Sequence, residues 1–233
     1  MNTSVFLSNE ICQSGKHVLL SSAEVGATFC LYSLPKGKCA ISDCNGENVR
    51  IFILLEGSLK IGELMLGERG ILTVIKTESI QIAALSDSRL LEISLKKIAD
   101  ACSISSPNPL LYRSAPKYRE DCKSEKTVSR MLLQSGVIPG IAIGSVETYG
   151  KDTVAAHCHP DCDQFFFSFA ENDMSVIIDA DAVLMKGERL LHIPLGSTHG
   201  VEVCDGGCAH YLWIDFILNE QGAEYMDSAH KFI

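Results

Sequence analysis

Residues 157–167 read HCHPDCDQFFF, which sets two histidines, two cysteines, two aspartates and a glutamine ahead of three aromatics. These side-chain types hold metal ions, and crowding them into one short run points to coordination chemistry. The segment TVAA precedes the run and QFFFSFA follows it, and both read as strands, so the charged middle is expected to be a hairpin turn. Side chains alternate faces along a strand, which puts His157 and His159 on one face and Cys158 on the other. Two imidazoles on one face make a chelating pair. Gln164 opens the next strand and shares its face with Phe166 and Ser168, while Phe165, Phe167 and Phe169 take the opposite face. Further on, GERLLHIPLGSTHGVEV carries Pro194, Gly196 and His199 as P-x-G-x-x-H, a turn that delivers a third histidine at the start of a strand, with Val201 following on its face.

The elements that position these residues are short and apolar with period-two patterning. HVLLSS, ATFCLYSL, VRIFILL, GILTVI, IQIAAL and LLEISL fill the first hundred residues, separated by turn formers such as PKGK, DCNGEN and EGS. From Leu95 the texture changes to a charged stretch with Pro107, Pro109 and Pro116, which reads as a short helix and then a linker. Strands resume with RMLLQS, IAIGSVETY, SVIIDA, AVLM, RLLHIPL, GVEVC and AHYLWIDFIL, and the tail NEQGAEYMDSAHKF suits one terminal helix. LMLGER at Leu64 to Arg69 recurs as LMKGER at Leu184 to Arg189 within a matching order of strands. The expected architecture is all-β, built from two copies of one sandwich or barrel: residues 1–100, a linker over 101–127, and residues 128–233.

Composition narrows the partners. The chain of 233 residues carries a formal net charge of −9 with scattered Lys and Arg, which argues against nucleic acid. No apolar stretch approaches the roughly 20 residues that span a bilayer, and MNTSVFLSNEICQSGK lacks the basic and apolar regions of a signal peptide. A cytoplasmic location is expected, with most of the ten cysteines as free thiols. Cys158 and Cys162, like Cys204 and Cys208, are three residues apart near a histidine, which leaves a second metal or redox role open.

On these residues the chain resembles the cupin superfamily, whose motifs are G-x5-H-x-H-x3–4-E-x6-G and G-x5-P-x-G-x-x-H-x3-N. Gly150, His157 and His159 correspond to the first motif, and Pro194, Gly196 and His199 to the core of the second. The sequence departs from the pattern in four places, one of them the missing glycine in the turn after Gln164. Gln164 stands where the family usually has glutamate, six residues separate Gly187 from Pro194, and Val203 lies near the place of the closing asparagine. The resemblance covers residues 128–217 and, more weakly, 20–95. It implies two tandem jelly-roll domains, often dimeric, with a divalent transition metal held by His157, His159, His199 and a fourth ligand. Gln164 and Asp163 compete for that place, and strand parity favours Gln164. The first domain has only His17, and Ser79 stands 120 residues before His199, so no metal site of this type is expected there.

Three neutral imidazoles and an amide would leave the ion its full charge, which favours an anionic chelator such as a 2-oxo, 2-hydroxy or uronic acid. Zn, Fe, Ni, Mn and Co all accept imidazole-rich sites. The expected activity is that of an isomerase or lyase that polarises a carbonyl and stabilises an enediolate. Two alternatives stay open: a binding or sensing protein that holds a metabolite unchanged, and a dioxygenase resembling quercetinase or pirin-like proteins. No catalytic residue is assigned. His192, Tyr149, Tyr211 and Glu202 are candidates for proton transfer, with Glu202 on the face opposite His199. His17, His192, His210 and His230 otherwise read as histidines satisfied by hydrogen bonds.

Overall fold

The computed structural model describes residues 5–7, 14–43, 49–67, 69–75, 78–96, 102, 107–159 and 161–233. Strands dominate, with one α-helix, Glu220–Ala229, among the described residues. None of the described helices is long and apolar enough to cross a membrane. The chain divides into two compact units, Glu10–Ala115 and a second that joins Met1–Asn9 to Pro116–Ile233.

The first unit is a two-sheet sandwich. Its six-stranded sheet runs Asn108–Leu110, Ile71–Ile75, Val49–Glu56, Ser88–Leu95, Ala27–Leu34, Gly15–Ser22, and its four-stranded sheet runs Cys39–Ser42, Ile80–Ala84, Leu59–Ile61, Leu64–Leu66. Tyr32, Phe52, Leu54 and Leu90 from the larger sheet meet Leu59, Ile61 and Ile82 from the smaller one. This interior also holds a charged pair of residues, Arg50 and Glu92, both fully buried. Glu92 accepts hydrogen bonds from Ser42 Oγ (2.6 Å), Ser94 Oγ (2.9 Å) and Tyr32 OH, and Arg50 Nη1 donates to the Ser42 carbonyl at 2.8 Å. Buried charges survive only with such partners.

The second unit is a curled sheet of twelve strands whose two layers enclose the remaining core. One layer runs Val5–Leu7, Arg189–Ile193, Cys162–Ser168, Cys208–Ile217, Ile141–Tyr149, Val128–Ile138, Lys117–Arg119, Lys231–Phe232. The other holds Asp152–His157, His199–Val203, Asp173–Ile178 and Asp181–Lys186. LMLGER and LMKGER occupy the same structural place, each beginning in the second strand of a hairpin and leading into the next strand.

Three local expectations need correction. Asp152–His157 pairs with His199–Val203, whereas Cys162–Ser168 pairs with Arg189–Ile193 and Cys208–Ile217, so these two strands do not form a hairpin. The segment 101–127 is not a free linker: Asn108–Leu110 extends the first unit's sheet, and Lys117–Arg119 lies between two strands of the second. The terminal helix stops at Ala229 because Lys231–Phe232 joins Lys117–Arg119 as a strand. Its start is capped by Asn219, whose side chain accepts from Gly222 N at 2.9 Å. The helix expected just after Leu95 falls on residues outside the described set, apart from a 3₁₀ turn at Tyr112–Ser114.

Gly144 shows how tightly this unit is packed. A Cβ there would lie 2.2 Å from the Trp213 ring, so only glycine gives the indole its place across the strand pair. Gly144→Ala is expected to destabilise the protein by about 1–3 kcal/mol, read as a lower urea midpoint at unchanged slope.

Candidate metal centre

His157 and His199 are direct cross-strand neighbours in one layer, and His159 follows where the chain leaves that layer. The ring centroids are 4.4 Å apart for His157 and His199, 5.0 Å for His157 and His159, and 5.3 Å for His159 and His199. One nitrogen from each ring lies within 4.8 Å of those of the other two, a spacing that lets one ion bind all three. The Nδ1–H of His157 donates to the Ala155 carbonyl at 2.8 Å, which fixes the tautomer and frees Nε2 as a ligand. Burial, reinforced by the two neighbouring rings, pushes His199 down to about 3, and burial also lowers His157. These imidazoles are neutral at physiological pH, the state in which they bind metal.

The other layer supplies Gln164, whose side chain parts there from that of Asp163. Asp163 turns away and lies 2.8 Å from His192 Nε2, on the side where His192 stacks on Phe165. Gln164 lines the chamber with the three histidines, and its Nε2 donates to Asp215 Oδ1 at 2.6 Å. With the amide held that way, Gln164 Oε1 is left buried and without a partner. Asp215 itself is fully buried, and its Oδ2 lies 3.4 Å from His159 Nδ1 without hydrogen-bond alignment. The carboxylate thus holds the Gln164 amide and lies beside His159. Asp215 sets a carboxylate beside Gln164 and His159 that the sequence reading did not include.

Whether these residues suit a metal can be judged from the polar atoms they leave unsatisfied. Both ring nitrogens of His159, both of His199, Gln164 Oε1 and Asp215 Oδ2 are buried with no hydrogen-bond partner. Each orphaned buried group costs on the order of 1–3 kcal/mol, and a cation would partner one nitrogen of each histidine ring together with Gln164 Oε1. A second grouping, His159 with Cys162 and Asp215, shares a member with the first. Burial pushes the Cys162 thiol up to about 12, so it is the weaker donor of the two sets.

The chamber has a volume of about 20 Å³, enough for an ion or a water molecule. Phe166 and Val201 line it as expected, whereas Ser168 does not: its hydroxyl donates to the Gly187 carbonyl at 2.6 Å. Of the proton-transfer candidates only Tyr211 reaches the chamber. His192 is tied to Asp163, Glu202 is exposed, and Tyr149 is 62% exposed on the surface. Sequence reasoning missed Asp215, Glu120, Lys123 and Trp213 in the chamber wall, and read His230, which also lines it, as structural only. An aspartate alone within the apolar run LWIDFIL was the one available signal, since it marks a buried charge.

No protein-family model matches the chain, and neither does any curated protein. Solved structures do match in fold. A cupin 2 conserved barrel domain protein from Leptotrichia buccalis shares 14% identity over 91% of this chain and 92% of that one, with a TM-score of 0.57. An oxalate decarboxylase from Lactobacillus farciminis, in complex with formate, shares 10% identity over 83% and 77%, with a TM-score of 0.67. An IolB-like protein from Salmonella typhimurium shares 12% identity over 93% and 97%, with a TM-score of 0.66. The protein has the cupin jelly-roll fold.

Proposed function

We propose that the protein is a metal-dependent enzyme of isomerase or lyase type that acts on a small anionic keto acid or sugar acid. The placing of one ring nitrogen each of His157, His159 and His199 within 4.8 Å of one another, in a chamber that Gln164 also lines, carries this reading. His157, His159, His199 and Gln164 would hold the ion, with Asp215 orienting Gln164 and His159. A divalent transition metal there would supply Lewis acidity toward a carbonyl or carboxylate. The residues do the rest: Phe166, Val201 and Val154 exclude water, and Tyr211, a phenol that burial drives far above its ordinary range, stays a neutral donor. Among the fold neighbours, a decarboxylase named for oxalate lends support to a small anionic substrate. The first unit, where Glu92 and Arg50 Nη1 hydrogen-bond in the interior, serves as a structural partner.

Elemental analysis of purified protein beside His157→Ala tests the site. Near-stoichiometric metal is expected in the wild type and less than about a tenth of it in the variant, whereas equal content would place the ion elsewhere, at the cysteines. Turnover of pyruvate, 2-oxoglutarate or D-glucuronate that stops on chelation tests the reaction, and metal-independent turnover would overturn it. A compound that raises the melting temperature and is recovered unchanged would instead mark a binding protein.

A further inference from the structure

The chamber has a second wall that the metal reading does not use. Glu120 and Lys123 line it, together with His230. Their side chains are only 11% and 7% exposed, yet both also line an outer pocket of about 280 Å³ bounded by Tyr118, Arg119, Asp121 and Ser124. Among the residues of the chamber wall, these two alone border both spaces. Glu120 Oε1 is gripped by Lys123 Nζ at 2.6 Å and lies 3.2 Å from His230 Nε2. Oε2 meets only the Cys122 thiol, at 3.4 Å, among its hydrogen bonds. The grips are themselves held. Lys123 Nζ donates to Tyr118 OH and Ser129 Oγ, each at 3.3 Å, and His230 Nδ1 donates to the Met226 carbonyl at 2.6 Å while its ring stacks on Trp213.

A proton-transfer group must reach the reacting carbon on one side and exchange with solvent on the other. We propose that Glu120 is the proton-transfer residue of this site, with Lys123 and His230 as the positioning residues that aim it. This rests on the functional reading above. Tyr211 faces the chamber without bordering the outer pocket, which leaves Glu120 the better placed of the two. Burial raises the Glu120 carboxyl, but Lys123 and His230 outweigh it and hold the group well below the usual range. In the transfer the C–H bond next to the substrate carbonyl breaks and its electron pair forms a carbon–carbon double bond. The carbonyl π pair moves to oxygen, and the proton passes to Glu120. Reversal re-forms a C–H bond with no net oxidation or reduction.

The test is hydrogen exchange at the pyruvate methyl group in D₂O, followed by proton NMR with the metal-loaded protein, alongside metal content and the pyruvate-induced shift in melting temperature. The wild type is expected to exchange. Glu120→Gln is expected to exchange at least about 100-fold more slowly, with metal content and thermal shift retained. Glu120→Asp, which keeps the charge but shortens the reach, is expected to recover part of the rate. Exchange by Glu120→Gln within threefold of the wild type overturns the assignment alone. Loss of metal in both variants overturns it in favour of a structural role. A wild type that binds metal but leaves pyruvate unexchanged overturns the assignment and the isomerase reading together, whereas a wild type without metal overturns the metal centre first.

Discussion

Asp215→Asn is expected to lower the affinity of the site for Co²⁺ or Zn²⁺ by about 10–100-fold while the metal-free protein melts within a few degrees of the wild type. The substitution keeps the shape of a fully buried side chain that pairs with Gln164 at 2.6 Å and faces His159 at 3.4 Å. An asparagine can still accept from the Gln164 amide, so packing and the local hydrogen bond survive. What disappears is the negative charge that balances the cation and the carboxylate that turns His159. Competition against a chromophoric chelator gives the affinity, and the visible spectrum of the cobalt form reports the ligand geometry. Unchanged affinity would show that Asp215 fills space and nothing more.

Acid is expected to weaken the metal-free protein well before its carboxylates are titrated. His199 takes up a proton near 6.5 when unfolded but only near 3 in the folded barrel. Between those values the unfolded chain binds more protons, so the stability contributed by the neutral ring is complete above about 6.5 and is lost as the pH falls toward 3. From pH 7 to pH 5 the loss is ~2 kcal/mol, an order-of-magnitude figure for a buried ring coupled to two others. His157, also lowered, acts in the same direction. Glu120 contributes nothing in this window, because a depressed carboxyl loses its stabilising effect only below its ordinary value of 4.5. Urea midpoints of chelator-treated protein at pH 7, 6 and 5 should fall steadily, and His199→Asn should flatten the trend. A midpoint independent of pH would show that the ring is protonated without cost.

The parts of this site that could be read from the sequence are those encoded over a few residues. Strand parity alone put His157 and His159 on one face, and the Pro194 to His199 turn announced the third ring. Preference for Gln164 over Asp163 rested on the same alternation, and the two side chains do diverge, one into the chamber and one toward His192. Non-local facts were hidden. That Gln164 stands opposite Asp215 depends on a register between strands about fifty residues apart, and no local pattern encodes it. Glu120 and Lys123 sat in a charged, proline-rich stretch whose texture is that of a linker, although Lys117–Arg119 draws it into the sheet. The supposed hairpin failed for a related reason: adjacency in sequence shows that two strands follow each other, not which neighbours they choose. All-β architecture was legible because period-two patterning is a local signal that recurs along the chain.

The pairing of Val5–Leu7 with Arg189–Ile193 carries a consequence for biosynthesis. Arg189–Ile193 is flanked on its other side by the strand bearing Gln164, so a segment translated early closes the sheet edge beside a ligand translated late. At ribosomal speeds of about 5–20 residues per second, that early segment waits roughly 10–40 s for its partner to emerge. Throughout that interval the nascent chain presents an unsatisfied strand that other polypeptides can capture.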